Sequence, residues 1–124
     1  MKIIDAISTL DSFKQNTYTQ DDKIRWLSTV DATVKKEIID QCVGADKVIF
    51  DGYTSDTDEN TELLIPAPYD EAYLRWMEAQ IDYANGEYGK YNNAMAMFNT
   101  LFDAFAKYYA RNNTPVSHGP RFIF

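Results

Sequence analysis

Apolar residues return every three or four positions through most of this chain, and that spacing sets out helices. Ile3, Ile4, Ile7 and Leu10 share one face of a short first helix that Phe13 closes, and 14–18 reads as a loop. Thr19 with Asp22 three residues on resembles a capping box, Asp standing where Glu is usual. Ile24, Leu27, Val30, Val34 and Ile38 then form a stripe with Trp26 at its edge. Arg25, Lys35, Lys36 and Asp40 lie opposite. The pattern predicts a second helix to about Cys42, stopping near Gly44.

Residues 43–62 change character. Val48-Ile49-Phe50 is a short run of strand type, Asp51-Gly52 is a turn signal, and Leu63-Leu64-Ile65 reads as a returning strand. A short β-hairpin within 48–65 is therefore expected. Pro66-Ala67-Pro68 makes a rigid extended link. Asp70-Glu71 opens a third helix with acids at its positive end, and Tyr73, Trp76, Met77, Ile81 and Ala84 share a face. Asn85-Gly86-Glu87-Tyr88-Gly89 interrupts it. A long helix follows from Lys90 to about Asn112, apolar at Tyr91, Met95, Phe98, Leu101, Phe102, Phe105, Tyr108 and Tyr109, with Met97 on another face. So short a connection makes the last two helices an antiparallel hairpin, in which Trp76 and Tyr73 can meet Phe102 and Phe105. The fold class expected is mainly α: a small helical bundle with a long C-terminal hairpin. Residues 1–112 form one domain, with the acidic loop and Pro-rich link at 43–68 inside it. Pro115, Gly119 and Pro120 make 113–124 an extended tail.

Composition changes this picture in two ways. Aromatics reach 15%, with nine Tyr, and Tyr suits half-buried contact surfaces. The net charge is −7, and six acids against one base fall within 43–62, so that segment carries −5 and the rest −2. Without a basic patch, direct DNA binding is excluded as the main source of affinity. The lone Cys42 forms no intramolecular disulfide and fits a reducing compartment. Met1–Asp5 is too soon interrupted by charge for a secretory signal, and no apolar run is long enough to span a bilayer.

Candidate chemistry is sparse. The acids of the loop lack the spacing of a calcium-binding loop and read as a solvated segment. His118 lies in the tail without a partner to hold it as a base. Gly86-Glu87-Tyr88-Gly89 lacks the strand and lysine of a phosphate loop. Asn112-Asn113-Thr114 is followed at once by Pro115 and is not read as a glycosylation site. Glu71 and Arg75, four apart, support a helix surface. No catalytic, cofactor or metal set emerges, and an enzyme is not expected.

The blocks Leu64-Ile65-Pro66-Ala67-Pro68-Tyr69-Asp70-Glu71-Ala72-Tyr73-Leu74-Arg75-Trp76 and Ile81-Asp82-Tyr83-Ala84-Asn85-Gly86-Glu87-Tyr88-Gly89-Lys90-Tyr91-Asn92-Asn93 resemble small head–tail connector (adaptor) proteins of long-tailed phages and prophages of Firmicutes. Lys23–Leu27, Lys36–Asp40 and the aromatic long helix resemble the same family, and the likeness covers most of 1–112. The resemblance implies a helical subunit of a ring, often of twelve copies, beneath the portal of a DNA-filled head. It implies a structural virion protein of the neck, assembled in the host bacterial cytoplasm. Such a ring extends the channel through which DNA passes without specific binding, and docks a stopper, tail-completion or other neck protein. It implies no cofactor and no membrane.

On this reading the contact residues are Asp56, Asp58, Glu59 and Glu62 of the acidic loop and Arg121, Phe122, Ile123 and Phe124 of the apolar tail. A ring needs two different complementary surfaces on each subunit. An acidic loop facing the channel would repel phosphate over about 8 Å, and an extended tail could dock on the portal or a neighbour. The alternative is a small cytoplasmic protein–protein interaction module of a prophage using the same aromatic surface.

Overall fold

The structure, a computed structural model, describes residues 1–116. Four helices follow one another: α1 (Ile3–Phe13), α2 (Gln20–Glu37), α3 (Glu71–Ala84) and α4 (Tyr88–Asn112), with 3₁₀ turns at Ile39–Gln41 and Ala45–Lys47. Thr19 caps α2, its hydroxyl accepting the Asp22 N–H at 3.1 Å. Leu27 and Val34 of the stripe are fully buried, and Trp26 at its edge packs at a tilt against Tyr18, ring centres 5.3 Å apart.

The helix ends earlier than its periodicity predicts. Beyond Glu37 the chain winds more tightly, and Ile38, Ile39 and Cys42 are all buried. The tighter 3₁₀ turn brings the neighbouring Ile38 and Ile39 both inward, which a continuing α-helix would turn to different faces. Gly44 then reverses the chain at φ +88°, a conformation that other residues resist. Phe13 ends α1 as expected but remains 47% exposed.

Leu10, Leu27, Val34, Ile65, Met77 and Ile81 meet at the centre, where α1, α2 and α3 converge. Two ion pairs tie α1 to its neighbours. Lys23 of α2, almost wholly buried, reaches Asp11 at 2.7 Å, and Lys14 pairs with the buried Asp82 at the end of α3. In each pair one partner is buried, Lys23 or Asp82, and removing the other leaves that buried charge uncompensated.

The β-hairpin expected within 48–65 does not form. Among the described residues the bridges are isolated ones, Lys2 with Glu62 and Cys42 with Pro115. Ladder donors in the returning segment are taken elsewhere. Leu63 N–H goes to Met1 O at 2.9 Å, Leu64 N–H to the Asp31 carboxylate at 3.0 Å, and Ile65 N–H to the Tyr73 hydroxyl at 2.6 Å. A segment whose N–H groups are spoken for by side chains cannot also pair with a strand. Ile49 is consequently 81% exposed.

This loop has a different task. α1 starts at Lys2, a poor N-cap, and its first N–H groups need acceptors. The loop supplies them: Ile3 N–H donates to Thr61 O and Ile4 N–H to Glu59 O, each at 3.0 Å.

α3 and α4 form the predicted antiparallel pair. Gly86, at φ +75°, closes α3, with Glu87 N–H bonded to Asp82 O and Gly86 N–H to Tyr83 O. That is the Schellman arrangement, which needs the left-handed residue glycine provides. The aromatic register differs from the one anticipated: Trp76 meets Phe98 at 5.1 Å, and Tyr69 meets Phe105 at 6.0 Å. Tyr73 points into the α2 side, and Ala84 is exposed.

Candidate interaction surface

The best-enclosed polar site joins three segments around Asp31. This residue lies on the apolar side of α2, one turn beyond Leu27, and is 0% exposed. Its carboxylate accepts from the Tyr53 hydroxyl, the Tyr73 hydroxyl and Leu64 N–H. Burial pushes the carboxyl above its ordinary range despite those three donors. Burial and then the Asp31 charge raise both tyrosine hydroxyls far above their usual value, so they stay protonated and keep donating. The site is closed, without room for a substrate to approach the carboxylate. Its effect is structural, since it holds the acidic loop against α2 and α3.

Neither Asp31 nor Tyr53 stands out in a search for catalytic spacing. The available signal is an acid at 31 in an otherwise apolar row at 27, 34 and 38. A charge there has to find donors on folding.

The acidic residues singled out from sequence divide by role. Asp56 is exposed. Asp58 accepts Asn60 N–H at 2.9 Å and so closes its own turn. Glu59 contributes its backbone carbonyl to α1 while its side chain is exposed. The Glu62 carboxylate lies 3.2 Å from the Met1 amine. No three His, Cys, Asp or Glu side chains among the described residues gather so as to hold a metal ion. Arg121, Phe122, Ile123 and Phe124 lie outside the described residues, as does His118. The start of the tail is placed: Val43 N–H donates to Thr114 O at 2.7 Å and Val116 N–H to Gln41 O at 2.8 Å.

The remaining exposed chemistry is aromatic and apolar, on the α3–α4 hairpin. α4 buries only Ala94, Phe98 and Phe105 fully. Met97 is 45% exposed and Tyr108 38%. At the hairpin turn Tyr83 packs against Tyr88 at 5.5 Å and Tyr91 at 5.2 Å, yet Tyr83 and Tyr88 each stay 58% exposed. Rigid aromatic groups outside the fold are what protein contacts use as anchors. No helix among the described residues is long and apolar enough to cross a membrane. Comparison with known proteins yields no match to any family model, curated protein or solved structure.

Proposed function

We propose that this chain is a structural subunit of a phage neck, a head–tail connector that joins copies of itself in a ring beneath the portal. The ring extends the DNA channel and receives the next neck or tail protein. The observation that carries this reading is the aromatic and apolar surface of the α3–α4 hairpin, left outside by a fold whose own core is complete without it. The sequence resemblance supports it independently. The Pro-Ala-Pro-Tyr-Asp block turns the chain into α3, and the Asn-Gly-Glu-Tyr block makes the α3–α4 turn.

Asp56, Asp58 and Glu59 lie on the exposed loop, where their charge acts through solvent on a neighbour or on passing DNA. Electron microscopy of the protein mixed with its portal tests the reading. A ring of density below the portal is expected, and its absence overturns the connector. The loop has a separate test. Asp56→Asn, Asp58→Asn and Glu59→Gln together remove three charges, while the amide introduced at position 58 keeps an acceptor for its turn. The helical circular dichroism should stay unchanged and phage titre should fall at least tenfold. An unchanged titre removes the loop from assembly and DNA exit.

A further inference from the structure

One side of α4 carries an open trough. One half is apolar, formed by Ala96, Met97 and Leu101 with Glu71 of α3 at its rim. The other half is cationic, edged by Lys107 and Arg111 and walled by Tyr69. The halves meet at Thr100, which borders both. From Leu101 to Lys107 is about 9 Å at the rise of a helix. Lys107 and Arg111 are exposed and take part in no ion pair among the described residues. Asp103, also on the edge, leaves the two cations in excess.

The loop between α2 and α3 offers a matching pair of groups. Ile49 is more exposed than any other large apolar side chain among the described residues. Asp51 follows it, also exposed and also without an ion pair there, about 7 Å further along an extended chain. An apolar group and a carboxylate thus stand at nearly the spacing of the apolar and cationic halves of the trough. Bringing the two together removes apolar surface from water and sets opposite charges against each other.

Within one copy these two surfaces face apart. Residues 45–53 are held to the Ser28, Asp31 and Lys35 side of α2. Tyr53 N–H donates to Ser28 Oγ at 3.0 Å, the Tyr53 hydroxyl to Asp31, and Lys35 Nζ to Ala45 O at 3.2 Å. Thr29, Thr33 and Glu37 instead border a hollow shared with Phe98 and Phe102 of α4. At about 3.6 residues per turn, those two sets lie on opposite sides of α2. The helix therefore stands between Ile49 and α4, and an Ile49 that reaches the trough belongs to another copy.

We infer that the α4 trough receives residues 49–51 of a second copy, with Ile49 over Met97 and Leu101 and Asp51 against Lys107 and Arg111. The giving and receiving surfaces differ, so each copy offers one of each and the contact propagates head to tail. The assignment deepens the connector reading and rests on it for closure into a ring.

Disulfide trapping on the full chain tests it. Chains carrying Ile49→Cys and chains carrying Met97→Cys are mixed in equal amounts at millimolar concentration and oxidised, and peptide mapping by mass spectrometry identifies the bonds. The bond between positions 49 and 97 should exceed the 49–49 and 97–97 bonds about tenfold. Lys107→Glu with Arg111→Glu in the receiving chain should cut its yield about tenfold, and adding Asp51→Lys to the giving chain should restore it. Chance pairing, or a yield that ignores these charges, overturns the assignment. Microscopy with the portal separates the two readings. A ring together with chance pairing keeps the connector and removes this contact, whereas a specific 49–97 bond without a ring keeps the contact and removes the connector.

Discussion

One carboxylate, Asp31, holds more of this molecule together than any other polar side chain. Truncation to Ala strands two buried hydroxyls and an N–H, and a loss of about 3 kcal/mol is expected in urea unfolding. Asp31→Asn keeps an acceptor and should lose less. Because the folded carboxyl titrates above its unfolded value near 3.9, folding takes up a proton in the window between the two. Its contribution is fully present below the unfolded value and is lost as pH rises through the folded one. Asp11 behaves oppositely. Burial raises its carboxyl, but the Lys23 and Asn16 hydrogen bonds and the Lys23 charge outweigh that and hold it low. Asp11 is common to both proteins, so its effect cancels when the unmodified chain is compared with Asp31→Asn. Urea midpoints at pH 7 and pH 4 should move in favour of the unmodified chain at the lower pH. A gap that does not change would show that Asp31 does not titrate above its unfolded value.

The helices were legible because their signals are local. Thr19 with Asp22, the Ile24–Val34 stripe and Gly86 each act within a turn or two of themselves. The 48–65 segment was not legible for the opposite reason. Its pattern suits a hairpin, but the donors of Leu64 and Ile65 go to residues 33 and 8 positions away. Likewise, the poor cap at Lys2 shows that α1 needs help without saying where it comes from. Of the surface residues singled out, the exposed acids were readable by composition, whereas the structural duties of Asp58 and the Glu59 backbone were not. The two sides of α4 should separate stability from assembly. Phe105→Ala, at a site 2% exposed, is expected to cost about 3–5 kcal/mol in urea unfolding. Met97→Gln with Tyr88→Gln, both at well-exposed positions, should stay within about 1 kcal/mol of the unmodified chain. The same pair should reduce entry into particles, measured by quantitative mass spectrometry of purified virions.

At the scale of the whole molecule, one bundle carries its charge and its apolar surface in different places. Acids collect on the loop between α2 and α3, while exposed aromatic rings collect on the α3–α4 hairpin. Such separation gives a subunit two unlike faces, as head-to-tail ring contacts require. The capping of α1 by the loop adds a consequence in time. Ile3 waits for Thr61, which is made 58 residues later, or about 3–12 s at ordinary rates of synthesis. Lys14 waits longer still, for Asp82. Nascent chains arrested before residue 59 emerges should leave α1 open to protease, and chains that expose residue 82 should protect it. Synthesis thus runs past residue 59 before the first turn of α1 can find its acceptors.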